Sequence, residues 1–223
     1  MTDIVIPLLA AILAIVLHEV AHGYAALALG DDTAKNAGRL TLNPIAHVDR
    51  VGTLIVPGVL LILQSIFGGH FMFGWAKPVP VAAWKFRDPR RGMMIVAAAG
   101  PAMNFALAYA TALALHLDLG DLFETFAFSF ILFNLLLGLF NLLPIPPLDG
   151  GRIVVGLLPH DLAMAWAKLE RGGIVIVLLL LFLLPSLLRD LGFDYDPVMG
   201  TLWRVMHWAL GLLPFPDGTE PGV

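Results

Sequence analysis

Long apolar runs, each closed by glycine, proline or clustered charge, divide this chain of 223 residues. The first, Ile4 to Leu29, can cross a hydrocarbon core at about 1.5 Å per residue and stops at Gly30-Asp31-Asp32. Gly92 to Leu117 and Leu122 to Leu143 predict two further spans, and Ile174 to Leu188 a short, plain one. Between the first two spans, Gly38-Arg39-Leu40-Thr41-Leu42-Asn43-Pro44 alternates polar and apolar positions, which predicts a short strand or β-hairpin ended by Asn-Pro. Val51 to Phe67 is apolar but short, with Pro57-Gly58 near its middle, so it either spans or enters and turns back. Leu157 to Arg171 reads as interfacial. Val198 to Leu213 carries Arg204, His207 and two tryptophans, so it lies in the interface or tilts across as a last span. The fold expected is an all-α polytopic membrane bundle of about four to six transmembrane helices, with a short hairpin and a re-entrant segment.

Composition narrows this further. The chain is 59% hydrophobic and 13% charged, with mean hydropathy +0.86, outside the range of soluble domains. No hydrophilic stretch is long enough for a second folded domain. Residues 1–223 are therefore expected to form a single membrane-embedded domain, with its core at 4–158 and peripheral C-terminal helices at 174–213. Cysteine is absent, which excludes disulfides and thiolate zinc sites. No basic tract argues for nucleic acid. Met-Thr-Asp lacks the positive start of a secretory signal, so the first run is expected to be a retained helix.

His18-Glu19-Val20-Ala21-His22 then stands out, because ionisable groups within a span are costly without a purpose. On a helix His18 and His22 stack one turn apart, so both imidazoles can hold one Zn²⁺, with Glu19 beside them to take a proton from water. The structural alternative is a pair of packing histidines with Glu19 as their ion partner. A bis-His haem is excluded, since residues one turn apart cannot reach opposite faces of the iron. Zinc wants a third protein ligand, and Asp149 is the best candidate. It follows Pro144-Ile145-Pro146-Pro147, where a helix must unwind, and Gly150-Gly151 let the backbone bend. Its alternative role is an N-cap for the helix starting near Arg152.

Three further polar residues are candidates. Asn104 either packs helices through an interhelical hydrogen bond or donates to a substrate carbonyl. Asn141 is expected to brace the loop that carries Asp149. His47 either pairs with Asp49 or serves as an extra polar group at the site entrance. His70, His116, His160 and His207 read as interfacial, and the five tryptophans as an aromatic belt.

Two arguments converge on topology. If the N-terminus is outside and Val51 to Phe67 is re-entrant, only Arg189 and Arg204 of the thirteen Lys/Arg fall on the far side, as the positive-inside rule prefers. Separately, His18 and His22 sit late in the first span and Asp149 just beyond a later one. For them to meet, those two helices must run in the same direction, with one full crossing between them.

These motifs resemble a known family. HEVAHGYAA in a first span, Gly100-Pro101-Ala102-Met103-Asn104 in a middle one and NLLPIPPLDGG after a later one resemble the site-2 protease family of intramembrane zinc metalloproteases. Asn43-Pro44, Phe73-Gly74-Trp75-Ala76-Lys77-Pro78-Val79-Pro80 and Gly100-Pro101 look like its compact prokaryotic branch without a PDZ domain. The resemblance implies one Zn²⁺ per chain held by His18, His22 and Asp149, Glu19 as catalytic base, and Asn104 near the scissile carbonyl. It also implies a prokaryotic inner membrane, an active site towards the cytoplasmic face, and transmembrane protein substrates: membrane-anchored anti-sigma factors, other regulatory proteins or signal-peptide remnants. The Gly38 to Asn43 strand would then offer an edge to an unwound substrate. A metal-ion transporter or carrier is the main alternative, predicting more polar residues along several spans; an inactive scaffold of the same family is the other.

Overall fold

A computed structural model describes residues 2–67, 74–193 and 195–217, and every regular element among them is helical. In chain order these are α1 (Thr2–Ala28), a single-turn α2 (Thr33–Asn36), α3 (Val56–Phe67), α4 (Pro89–Ala114) and α5 (Asp121–Asn141). They are followed by α6 (Asp149–Leu157), α7 (His160–Lys168), α8 (Gly173–Leu178), α9 (Leu184–Asp190) and α10 (Met199–Leu210). Four stretches are long and apolar enough to cross a membrane: Thr2–Ala28, Pro89–Leu117, Asp121–Asn141 and His160–Asp190.

Local chemistry sets the boundaries. The Asp88 carboxylate accepts from the N–H groups of Arg90 and Arg91 at 3.1 and 3.0 Å, and Pro89 fills the first helical position, so α4 starts there. Gly30, at φ +97°, ends α1 in a conformation that favours glycine.

Inside lipid the hydrophobic effect does not drive helices together; close packing and interhelical hydrogen bonds do. The α1–α4–α5 interface is accordingly built from small residues. Ala10, Ala14, Ala108, Ala112 and Ala127 are all buried, while Leu8, Leu9, Leu113 and Leu122 face outward. Ala10 and Ala14 pack with Phe130 of α5 and Leu107 of α4, His18 meets Asn104, and His22 meets Val96. The register along these pairs makes α1 antiparallel to α4 and parallel to α5. That is the relation the meeting of His18, His22 and Asp149 demanded.

Several expectations need correction. The hairpin at Gly38 to Pro44 is absent: no strand occurs among the described residues, and this stretch is turn and bend. Alternation alone cannot make a strand without a partner to pair with, and here the polar groups are satisfied locally. Thr41 Oγ1 accepts from Asn43 N–H at 3.2 Å, and Asn43 Oδ1 caps the 3₁₀ turn Pro44–His47 through Ile45 N–H at 3.1 Å. The interfacial Leu157 to Arg171 and the span Ile174 to Leu188 are not separate. A 3₁₀ turn, Leu169–Gly172, and a π-helical turn, Leu179–Leu183, join α7, α8 and α9 into the 31-residue stretch His160–Asp190. At 12 residues, about 18 Å, α10 is well short of a hydrocarbon core of about 30 Å. It packs instead on α5, with Met206 and Leu210 buried beside Ala127, Ile131 and Leu135. Val51 to Phe67 forms a π-helical turn, Arg50–Ile55, running into α3, and is not among the four long stretches. His70 and Phe73 lie outside the described residues.

Candidate metal centre

The i, i+4 spacing of His18 and His22 on α1 brings their rings to a 4.6 Å centroid separation, nearly perpendicular. Their Nε2 atoms lie 3.0 Å apart. Asp149 is the first residue of α6, directly after the proline loop, and its Oδ2 lies 3.2 Å from His18 Nε2 and 3.3 Å from His22 Nε2. All three side chains are buried, with 4, 9 and 8% of their residues' surface exposed. The N-cap position of α6 is Leu148, not Asp149, and Asp149 Oδ2 is buried without a hydrogen-bond partner.

Those facts amount to a test of fit for a cation. The Nδ1 of His22 lies 2.7 Å from the Val96 carbonyl, which can only accept, so Nδ1 carries the proton and Nε2 presents a lone pair. A carboxylate oxygen faces it. Buried acceptors turned on one another are costly unless something positive sits between them. Zinc–ligand bonds of about 2.0–2.1 Å at tetrahedral angles put ligand atoms roughly 3.3–3.4 Å apart, close to the separations here. The donor set, two imidazoles and a carboxylate, is one that catalytic zinc uses. Among the described residues this is the single group of three metal-capable side chains brought within reach of one ion.

The surroundings are cut to the same shape. A Cβ on Gly100 would lie 2.5 Å from Cε1 of both histidines, so α4 can approach the site only with glycine there. A Cβ on Gly151 would lie 2.6 Å from the Pro146 nitrogen, which shows how tightly the proline loop folds back onto the start of α6. These close approaches set where Asp149 can stand.

Glu19, half-buried, accepts the Val79 N–H on Oε2 at 2.9 Å. Val79 belongs to an extended strap, residues 74–82, whose role the sequence pattern did not reveal. The strap is tied down at intervals. Trp75 N–H bonds the Gly52 carbonyl at 3.1 Å, Lys77 N–H the His47 carbonyl at 2.9 Å, and Arg39 donates to the Lys77 carbonyl at 2.6 Å. At its far end Asp31 Oδ2 accepts the Ala82 N–H at 2.6 Å. Asp31 is fully buried and also accepts from the N–H and hydroxyl of Thr33 and pairs with Lys85.

The remaining candidates fall in different places. Asn104 is fully buried behind His18, its Oδ1 2.6 Å from His18 Nδ1 and its Nδ2 donating to Asn134 Oδ1 at 2.8 Å. Asn134 was not singled out from the sequence. Asn141 donates to the Leu137 carbonyl of its own helix at 3.0 Å. His47 bonds the Thr41 carbonyl through Nε2 at 2.9 Å, while Asp49 caps the next turn through Val51 and Gly52 N–H, so the His47–Asp49 pair does not form. Neither His47 nor Asn141 joins the metal cluster.

Known proteins resemble this chain over most of its length. A profile of peptidase family M50 matches residues 117–184, which include Asp149. The chain is 41% identical over 184 residues to "Putative zinc metalloprotease YwhC" of Bacillus subtilis, with 78% of each chain covered. It is 32% identical over 199 residues to "Putative zinc metalloprotease Rip2" of Mycobacterium tuberculosis, covering 88% of this chain and 69% of that one. No solved structure matches.

Proposed function

This chain belongs to peptidase family M50, the site-2 protease family of zinc metalloproteases, and on that premise we propose that it hydrolyses peptide bonds within or beside the transmembrane segments of other membrane proteins. The observation that carries the reading is the convergence of His18 Nε2, His22 Nε2 and Asp149 Oδ2 within a bundle of apolar helices, with Glu19 one residue along the same helix. His18, His22 and Asp149 hold the zinc. A zinc ion bound there supplies Lewis acidity towards the attacking water and the scissile carbonyl.

The chain's own residues do the rest. Glu19 accepts the water proton and later delivers it to the leaving amine. The Val79 N–H on Oε2 holds the carboxylate in one rotamer, leaving Oε1 for the proton. Gly100 keeps α4 close against both imidazoles, and the proline loop presents Asp149 from the opposite side. Burial of the three ligands excludes bulk water, which strengthens every electrostatic contact within. A substrate helix must unwind locally to expose a peptide bond here.

Orientation follows from charge. The basic residues from Lys35 to Arg91, with Arg152, Lys168 and Arg171, face the cytoplasm of a prokaryotic inner membrane, and the site lies towards that face. The whole chain acts as a single protease domain. Because the chain has no cysteine, single introduced thiols report the topology directly. Arg87→Cys should label from the cytoplasm and Leu119→Cys from the opposite side; the reverse pattern overturns the orientation.

The activity is tested by Glu19→Gln. Zinc content should stay at one per chain while cleavage falls by about 10²–10⁴-fold, and uncut single-span proteins should accumulate in the membrane proteome. Undiminished cleavage by this variant would refute the assignment.

A further inference from the structure

We propose that Asn134 and Asn104 form a two-amide relay that fixes the proton of His18 on Nδ1 and so keeps its Nε2 bare for the metal. The inference rests on the zinc-site reading above and extends it to two buried residues on neighbouring helices.

The polarity of the relay is set at its far end. Asn134 Nδ2 lies 2.8 Å from the Phe130 carbonyl, one turn back along α5. A carbonyl can only accept, so Asn134 must turn its NH₂ to it. Its Oδ1 then faces Asn104, 2.8 Å away, and that contact requires the Asn104 NH₂. Asn104 Oδ1 is left facing His18 Nδ1 at 2.6 Å, and an amide oxygen can only accept. His18 must therefore carry its proton on Nδ1. Reversing either amide sets oxygen against oxygen at one contact and nitrogen against nitrogen at another. Both asparagines are fully buried, so no water relieves such a mismatch.

The relay matters because of what His18 could otherwise do. Its Nε2 lies 3.0 Å from His22 Nε2, which is bare because His22 Nδ1 donates to the Val96 carbonyl. An Nε2–H form of His18 would donate to that lone pair or to Asp149 Oδ2, 3.2 Å away, and close the site without a metal. Which ring nitrogen is protonated is decided by the partner of the other. For His22 that partner is a backbone carbonyl directly; for His18 it is a backbone carbonyl reached through two amides. Asn104 and Asn134 are thus positioning residues, and Asn104 spends both ends of its amide on this task.

The test uses the full chain in detergent with ¹⁵N-labelled histidine. In the wild type, loaded with zinc or stripped of it, both His18 and His22 should carry their proton at Nδ1. Asn134→Leu, which keeps the branched shape of the side chain and loses its polar atoms, removes the anchor. In the zinc-free variant His18 should become a mixture of tautomers while His22 stays unchanged as the internal control. Zinc affinity, read by competition with a chelator, should fall about 10–100-fold, and saturating zinc should restore cleavage. Asn104→Leu should shift the His18 tautomer and lower zinc affinity in the same way from the next position. A packing role would lower the melting temperature and leave tautomer and zinc affinity as they were; that result overturns the relay. So does a wild-type His18 protonated at Nε2 and bare at Nδ1, which needs no variant to observe. A wild-type chain that binds no zinc would instead overturn the metalloprotease reading, while the tautomer spectrum still judges the relay.

Discussion

Two buried aspartates, Asp31 just beyond α1 and Asp149 at the head of α6, meet opposite surroundings. Asp31 is encircled by donors: two backbone N–H groups, the Thr33 hydroxyl and the Lys85 ammonium. Its charge is satisfied by the protein alone, and it fastens α1, α2 and the strap together. Asp149 Oδ2 is buried with no donor and faces two imidazole nitrogens. Its charge is completed by something the chain does not supply. One is a fastener and the other a ligand. Burial and charge are alike in both, and the inventory of protons pointing inward separates them.

Removing the two carboxylates should have opposite effects. Asp149→Ala should cut zinc affinity by at least about 100-fold and abolish cleavage, while the thermal midpoint of the zinc-free protein changes little. Asp31→Ala should leave zinc stoichiometry at one. It strands the buried N–H of Ala82 and the part-buried N–H of Thr33, however, and should cost roughly 2–4 kcal/mol in denaturant titration. Equal losses of zinc affinity in the two variants would erase the distinction.

The same contrast explains what could be read in advance. The His18, Glu19 and His22 constellation was legible because helical spacing is local and lipid makes such residues conspicuous. Asp149 was legible because three prolines force the helix to unwind just before it. The four long apolar stretches followed from length and hydropathy, within a few residues at most boundaries. What escaped depends on partners distant in sequence. Asn134 looks like any span amide until Asn104, 30 residues away, is seen against it. The strap at 74–82 has no periodicity, and single bonds to Glu19, Asp31 and Arg39 hold it in place. The hairpin at 38–44 failed for the converse reason: alternation was present and no partner strand was. At 157–171, polar residues masked a helix that continues into the next apolar run.

Gly100 closes the site from the side of α4. Gly100→Ala puts a methyl against both imidazoles, and neither ring can retreat without losing its Nδ1 partner. Zinc affinity should drop about 10–100-fold, an effect of the size seen when metal ligands are displaced from their supports. Gly58→Ala, where an added Cβ meets nothing, is the control and should bind zinc as the wild type does. Unchanged affinity in Gly100→Ala would show that α4 does not shape the site.

The smallest effect tests whether Asp31 is satisfied as described. Burial alone would push its carboxyl up, but the Thr33 hydroxyl, the N–H groups of Ala82 and Thr33, and Lys85 outweigh burial and hold it below the ordinary carboxylate range. A carboxyl whose pKa is lower folded than unfolded contributes stability that is present above its unfolded value, about 4. That contribution is lost as pH falls through the folded value. The stability gap between wild type and Asp31→Asn should therefore be steady from neutral pH down to about pH 5 and close progressively on further acidification. Denaturation midpoints in detergent across that range read the gap directly. A gap that stays constant into strong acid would mean the carboxylate's charge contributes nothing beyond its shape, and Asp31 would lose its standing as the satisfied member of the pair.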